Sequence, residues 1–363
     1  MPLFKKVACF TDIHFGLKSN SGTHLKDCEE FVDWFIAEAQ KEGCETAIFL
    51  GDWSHNRNSL NLITLDTSLR CLEKLGAAFF DTSAWERPRW YESNAGLLAG
   101  MSVPARDEWS SKFWSPIAGA EHLRTREVAG IFDMTSLRRI TVTGPDAGTF
   151  LDRAAARNVA RGVGSVTYTM LLDHNGGIVS DVTISQLAED RFLVGGNSPR
   201  DEVWLKSISS GFDVQIADIT SGTTCVAVWG PAARDILSPI TDTDLTSDTF
   251  KYFSAKETSV AGVYVTAVRV SYVGELGWEL SCDVSGGKKL WNSVMQQATK
   301  AGAVPAGRSA LTSLRLEKGY RAWGSDISRE DTPTSAGLDL AMRTHGEHMG
   351  IAAASARATT RRL

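Results

Sequence analysis

The hydrophobic pattern of the first eighty residues predicts strands that alternate with helices. The apolar runs in KKVACFTDIH and ETAIFLGD are typical of short buried strands, and each is followed by a stretch with apolar residues at helical spacing. The two helical faces consist of Leu25, Cys28, Val32, Phe35 and Ala39, and of Leu62, Leu65, Leu69 and Leu72. The resulting β-α-β-α order predicts the opening of a parallel sheet in a short α/β segment.

From about residue 83 onward the pattern changes to β-rich runs separated by short helical stretches. DHNGG, between two such runs, is a strong signal for a turn between antiparallel strands. Helices are expected near residues 288–301 and 310–318, where they would cover the sheets. The prediction for this larger part of the chain is therefore an α+β fold with antiparallel sheets.

The composition of the chain limits the kinds of molecule that it is expected to bind. The chain has 363 residues and a formal net charge of -5, which argues against a general surface for nucleic acid or anionic membranes. No secretory signal and no apolar stretch long enough to cross a bilayer is recognisable, and the six cysteines form no C-x-x-C pair. We expect a cytoplasmic protein with reduced thiols that binds a small molecule.

Both predicted strands of the first segment end in side chains that could bind a metal. Asp12 and His14 follow the first strand and Asp52 follows the second, so they are expected at one edge of the sheet. FTDIHFGLKSN and FLGDWSHNR resemble the calcineurin-like metallophosphoesterases, in particular the nuclease subunit of phage and bacterial recombination complexes. The resemblance covers residues 1–82 and implies a divalent metal such as Mn or Fe, but the GNHD-type and later histidine motifs are missing from the sequence.

In the larger segment, polar residues interrupt otherwise apolar strands. Asp181 in GGIVSDVTIS is a carboxylate in a predicted strand, and a buried carboxylate needs a partner or a ligand. Tyr272, Glu275 and Glu279 in SYVGELGWEL could form a pocket for an amino-pyrimidine edge.

The motif SLRLEKGYRAWGSD and the residues just before it carry several charges on and after a predicted helix. Arg308, at the start of this helix, is a candidate for binding an anionic tail. For Arg315 and Glu317 the alternative is a structural ion pair beneath the core. No G-x-G-x-x-G follows a strand, so we expect neither an FAD nor an NAD site in this chain.

Six motifs in order carry a longer resemblance. ERPRWY, GAEHLRTREVAGIFDMTSL, VTGPDA, YTMLLDHNGGIVSDVTI, SYVGELGWEL and SLRLEKGYRAWGSD resemble the folate-binding part of dimethylglycine and sarcosine dehydrogenases or oxidases. That part is similar to the T-protein, the aminomethyltransferase of the glycine cleavage system. The resemblance covers about residues 83–342.

The resemblance implies that tetrahydrofolate captures an iminium or formaldehyde equivalent and becomes 5,10-methylenetetrahydrofolate. It implies that Asp181 is the catalytic residue, and that Tyr272, Glu279, Arg308 and Tyr168 bind the folate. In the oxidases of this family an N-terminal FAD domain generates the one-carbon unit, whereas this chain has phosphoesterase-like sequence there. A separate FAD-dependent amine oxidase is therefore the expected partner.

These resemblances predict three parts: 1–82 as a partial phosphoesterase-like segment, 83–342 as the folate domain, and 343–363 as a divergent, flexible tail. The seam is expected near Thr82, and the small β-barrel that closes the folate cleft in the family is not recognisable after residue 342. Folate-dependent transfer is the leading hypothesis, with folate binding alone as its reduced form. The alternatives are a metal-dependent phosphoesterase acting through the first segment and an inactive chimera of two gene fragments.

Overall fold

The computed structural model describes residues 7–10, 22–44, 46–49, 59–60, 72–82, 85–102, 104, 107–343 and 348–360. In chain order its strands are β1 (Val7–Phe10), β2 (Thr46–Phe49), β3 (Ser59–Leu60), β4 (Ala77–Thr82), β5 (Trp85–Tyr91), β6 (Gly130–Asp133), β7 (Arg138–Thr143), β8 (Val166–Leu172), β9 (Ile178–Ala188), β10 (Arg191–Gly196), β11 (Gln215–Asp218), β12 (Thr223–Trp229), β13 (Ala255–Val260), β14 (Val263–Val268), β15 (Gly277–Asp283) and β16 (Val304–Pro305). The α-helices are α1 (Gly22–Lys41), α2 (Pro116–Glu127), α3 (Ala147–Ala154), α4 (Pro199–Ser207), α5 (Ala233–Leu237), α6 (Val284–Lys300), α7 (Arg308–Glu317) and α8 (Ile351–Thr360).

Two sheets form the larger part of the molecule, as the α+β prediction requires. One has five strands in the order β11-β7-β10-β9-β8, all antiparallel. The other has six strands in the order β13-β14-β15-β12-β6-β16, and only β16 runs parallel to its neighbour. The turn in DHNGG joins β8 to β9, and the predicted helices near 288–301 and 310–318 correspond to α6 and α7.

Each sheet buries an apolar face against helices. Under the five-stranded sheet, Ile140, Val142 and Phe192 are buried together with Phe150 of α3. The six-stranded sheet packs against α5 and α6 and forms the second large core with them. Trp278 is fully buried in this core. Burial of side chains of this size contributes about 1.5–3 kcal/mol each, so these two cores dominate the stability of the fold.

A hairpin crosses the boundary expected at residue 82. β4 pairs antiparallel with β5, with Ala77 opposite Tyr91. Tyr91 and Leu72 are both buried in the core of the six-stranded sheet. The packing unit of the larger segment therefore includes residues from 72 onward.

In the first segment the structure has the predicted strand-helix-strand order. β1 pairs parallel with β2, and α1 lies between them in the chain, with Ile36 and Ala39 buried on one of its faces. β3 adds an antiparallel third strand to this small sheet.

The C-terminal residues differ from the expected flexible tail. Ile351 and Ala354 of α8 are buried against Met170 of β8 and Ile178 of β9. Gly176 in the β8–β9 turn has a φ of +77°, and a Cβ there would lie 2.4 Å from the backbone nitrogen of Ala354. The apolar positions three apart in an Ala-rich stretch thus produce a helix docked on the β8–β9 hairpin. None of the helices described here is long and apolar enough to cross a membrane.

Candidate functional site

Asp181 lies in β9, directly opposite Met170 of β8, and both of its carboxylate oxygens accept hydrogen bonds. The hydroxyl of Tyr168 donates to Oδ2 over 3.0 Å. Nδ2 of Asn197, just after β10, donates to Oδ1 over 2.9 Å and to the Asp181 carbonyl oxygen over 2.7 Å. The two side-chain donors are neutral groups that approach from either side of β9, so they orient the carboxylate without cancelling its charge.

Burial dominates the electrostatics of this carboxyl group. It raises the pKa of Asp181, while the hydrogen bonds from Tyr168 and Asn197 lower it and the charge of Asp201 raises it further. No ion pair to Asp181 is formed within the described ranges. A carboxylate held in this way favours a cationic or hydrogen-bond-donating ligand.

A second carboxylate positions Asn197. Asp201 accepts the backbone N–H of Asn197 over 2.7 Å and the hydroxyl of Ser180 over 3.1 Å. Ser198 and Asp201 form a capping box at the start of α4, with Pro199 in its first turn. Asn197 was not predicted as a site residue, although the capping signature in NSPRD marks the helix start that places it beside Asp181.

The charge of the same carboxylate acts on Tyr272. Its hydroxyl donates to the carbonyl of Arg321, and its ring stacks on Tyr320 with centroids 6.0 Å apart. Burial raises the pKa of Tyr272 to about 12, and Arg315, Asp181 and Arg308 also influence that pKa. Burial likewise raises the pKa of Tyr168, and Asp181 and Tyr272 raise it further. Tyr168 therefore contacts Asp181 directly, and Tyr272 interacts electrostatically with both.

Arg308 lines a cleft and interacts electrostatically with Tyr272. It is the first residue of α7, and burial lowers the pKa of its guanidinium, with opposing contributions from Tyr272 and Arg315. The cleft is lined by Arg87, Pro88, Phe132, Asp133, Ser136, Ala306, Arg308 and Leu311. Electrostatic interactions thus link four of the five predicted folate-domain residues, namely Asp181, Tyr168, Tyr272 and Arg308.

Glu279 lies on the six-stranded sheet, opposite Ala227 of β12 and Val268 of β14. Burial raises its pKa to about 7, and the charge of Arg139 lowers it. Its carboxylate accepts no hydrogen bond from a residue that the structure describes. The charge that acts on Glu279 is therefore that of Arg139.

Three charged residues from the same motifs have structural partners. Glu275 accepts a hydrogen bond from Arg126 over 2.8 Å, which ties it to α2. The ion pair considered for Arg315 with Glu317 is wrong: Arg315 pairs with Asp326, and Glu317 pairs with Arg126. Residues two apart on a helix project to different sides, so Arg315 and Glu317 cannot face each other on α7.

The structure does not describe the residues that were predicted to bind a metal. Asp12, His14 and Asp52 lie outside the described residues. Over the ranges that are described, no group of three or more His, Cys, Asp or Glu side chains could hold a metal ion.

Comparisons with known proteins match this fold and most of its length. The model of the GCVT N-terminal domain matches residues 69–346. An aminomethyltransferase of Streptomyces avermitilis is 35% identical over 286 residues, which cover 77% of this chain and 70% of the relative. The mitochondrial dimethylglycine dehydrogenase of Rattus norvegicus is 31% identical over 262 residues, which cover 71% of this chain but 30% of that enzyme.

A solved structure confirms the architecture. The glycine cleavage system aminomethyltransferase T from Bartonella henselae superposes with a TM-score of 0.67 at 26% identity, covering 80% of this chain and 73% of that one. The predicted T-protein-like fold with antiparallel sheets is thereby confirmed. The chain belongs to the GCVT family, the aminomethyltransferase-like proteins of folate-dependent one-carbon transfer.

Proposed function

We propose that this chain binds tetrahydrofolate and transfers to it a one-carbon unit released by demethylation of dimethylglycine or sarcosine. The observation that carries the proposal is the carboxylate of Asp181, which is held by the neutral donors Tyr168 and Asn197 and has no cationic partner among the described residues. In a low-dielectric site such a carboxylate stabilises a positive charge that develops on a bound ligand.

The chemistry balances without a redox step on this chain. N5 of tetrahydrofolate attacks the methylene carbon of the iminium, and the electron pair of the C=N bond moves to the amine nitrogen. N10 then closes the ring on the same carbon, the amine leaves, and one proton is released. Asp181 stabilises the cationic intermediates and accepts a proton from the folate nitrogen.

The proposal assigns a role to each of the remaining predicted residues. Tyr168 orients Asp181, and the aromatic face of Tyr272 packs against the ligand beside it. Glu279, whose carboxylate has no hydrogen-bonding partner among the described residues, accepts N–H groups of the pterin. Arg308 binds an anionic group of the folate.

The relatives support a proposal for the donor and for the partner. The mitochondrial dimethylglycine dehydrogenase of Rattus norvegicus supports dimethylglycine as the source, and this chain spans 30% of that enzyme. An FAD-dependent amine oxidase would then supply the iminium as a separate protein. The described cysteines Cys44, Cys225 and Cys282 are free thiols, which supports a reducing, cytoplasmic setting.

Anaerobic calorimetry with tetrahydrofolate tests the binding step. The wild-type chain should bind saturably, and Asp181→Ala should bind much more weakly while retaining its circular dichroism spectrum and thermal midpoint. Asp244→Ala is the matched control, because Asp244 lies in an exposed loop and hydrogen-bonds to its neighbours Thr246 and Thr249. Equal binding by wild type and Asp181→Ala would remove the proposed role of Asp181.

A further inference from the structure

Two arginine side chains converge on one exposed serine hydroxyl. Nη2 of Arg234, in α5, donates to Oγ of Ser247 over 3.3 Å, and Nη2 of Arg269, just after β14, donates to the same oxygen over 3.1 Å. Ser247 lies in the loop between α5 and β13 and is exposed to solvent. Because the two arginines occupy the acceptor positions of Oγ, the hydroxyl hydrogen of Ser247 is available as a third donor.

Neither arginine has a counter-charge within the part of the chain that the structure describes. Their other hydrogen bonds go to neutral backbone carbonyls, from Arg234 to Leu245 and from Arg269 to Phe250. Arg269 is 9% exposed, and its Nε is buried without a hydrogen-bond partner. Burial and the charge of Arg234 lower the pKa of Arg269, so the two cations act on each other without a neutralising anion.

The acidic residues of the loop do not supply that anion. The carboxylate of Asp244 accepts the backbone N–H of Thr246 over 2.8 Å, and this bond is the main cause of its lowered pKa. Asp248 directly follows Ser247 and is exposed, and it forms no ion pair with a described residue. The positive charge of the two guanidinium groups therefore remains open beside the Ser247 hydroxyl.

The groups that would bind an anion are already held in place. The loop is anchored by Leu245 and by the fully buried Phe250, whose ring packs edge-on against Trp278 with centroids 6.0 Å apart. The guanidinium groups of Arg234 and Arg269 lie 6.0 and 5.6 Å from the centroid of a ring of the same tryptophan. Side chains that are ordered before a ligand arrives lose less entropy on binding.

We propose that Arg234, Arg269 and Ser247 form a binding site for the phosphate group of a small molecule. Guanidinium groups bind phosphate through paired, charge-assisted hydrogen bonds. The three donors come from a helix, a strand end and a loop, which suits the oxygens of a tetrahedral anion better than the two coplanar oxygens of a carboxylate. The inference does not depend on the proposed function, because none of the three residues is proposed to bind folate.

Calorimetry with inorganic phosphate at low ionic strength tests the site. Phosphate is titrated into wild type, Arg234→Met, Ser247→Glu and Arg200→Met. Arg200 is the matched control, because it is an exposed arginine whose side chain forms no hydrogen bond or ion pair with a described residue. Circular dichroism and thermal unfolding verify that each variant folds, and tetrahydrofolate titrations of the same variants should match that of wild type.

Wild type and Arg200→Met should bind phosphate saturably and equally, and more weakly as salt is added. Arg234→Met should bind roughly 10- to 100-fold more weakly, the loss expected for one charged hydrogen-bonding group. Wild type without saturable binding, or Arg234→Met with the affinity of wild type, would overturn the inference. An equal loss in Arg200→Met would identify the phosphate as an adventitious ion only and would also overturn it.

Ser247→Glu tests the same charge arrangement by a gain of stability, which a misfolded variant cannot imitate. Its carboxylate would lie between the two arginines, so the variant should lose phosphate binding and unfold at a higher temperature than wild type at low salt. Ser210→Glu is the control, because Ser210 is an exposed serine without a hydrogen bond to a described arginine. Retained phosphate binding by Ser247→Glu, or a thermal midpoint no higher than that of Ser210→Glu, would refute the site.

Discussion

The hydroxyl of Tyr168 donates a 3.0 Å hydrogen bond to Asp181 across the β8–β9 hairpin, although the residue directly opposite Tyr168 is Thr183. The contact is therefore diagonal between neighbouring strands, which a long aromatic side chain can span. A shift of one residue in the register would move Asp181 to the other face of the sheet and break the contact. The Gly-containing turn that sets this register thus also positions the carboxylate.

Tyr168→Phe tests whether this hydrogen bond keeps Asp181 ionised. The hydroxyl lowers the pKa of Asp181, so its removal should raise that pKa. Because the ionised carboxylate is the active form in the proposed mechanism, the acidic limb of the pH-rate profile should move to higher pH. The profile of Tyr252→Phe, which changes an exposed tyrosine, should match wild type. An unshifted acidic limb in Tyr168→Phe would contradict this role.

Asn197→Asp places a second carboxylate next to Oδ1 of Asp181. Two like charges at hydrogen-bonding distance disfavour ionisation of both groups, so one proton should be retained at neutral pH. We expect transfer to fall at least roughly tenfold at pH 7, consistent with loss of a charged hydrogen bond. Transfer should recover partly at higher pH. A pH-independent loss would indicate that Asn197 acts only through local structure.

Glu279 should make folate affinity dependent on pH. Its pKa is raised to about 7, and only the ionised form accepts two N–H groups from a pterin. Affinity should therefore be complete above pH 7 and decline as pH falls through about 7. Glu279→Gln should bind more weakly at pH 8 and lose this part of the pH dependence. Glu257→Gln, at an ion pair with Arg191 on the sheet edge, is the control.

Glu121 should make stability depend on pH over the same range. Burial raises its pKa in the folded protein to about 7, above its ordinary value of 4.5. The stabilisation linked to its protonated form is fully present below pH 4.5 and is lost as pH rises through about 7. The free energy of unfolding of wild type should fall over this window relative to that of Glu121→Gln, measured by urea denaturation.

Glu121→Leu should be more damaging than Glu121→Gln at every pH. It leaves the buried N–H groups of Tyr91 and Gly307 without an acceptor, at a cost of about 3 kcal/mol. Glu127→Leu, at the exposed end of the same helix, should be nearly neutral. A Glu121→Leu variant as stable as Glu127→Leu would contradict the role of Glu121 in joining β5 to α7.

The sequence was sufficient to predict the β8–β9 hairpin, because DHNGG and the flanking apolar runs are local signals. It also singled out Asp181, because a carboxylate in an apolar strand is visible without a structure. Asn197 was missed since its contact with Asp181 depends on the pairing of β10 with β9. The partners of Arg315 and Glu317 were mispredicted because both partners lie outside α7. Arg315 pairs with Asp326 in the loop after α7, and Glu317 pairs with Arg126 of α2.

The central claim is that this chain directs a one-carbon unit to tetrahydrofolate, and isotope transfer tests it most directly. Dimethylglycine labelled with ¹³C in its methyl groups is oxidised anaerobically by a flavin-dependent dehydrogenase without a folate domain, with an artificial electron acceptor that reoxidises the flavin, in the presence of tetrahydrofolate and this chain. Label should appear in 5,10-methylenetetrahydrofolate faster than with Asp181→Ala, with less free formaldehyde. Equal rates with wild type, Asp181→Ala and no added chain would contradict the claim.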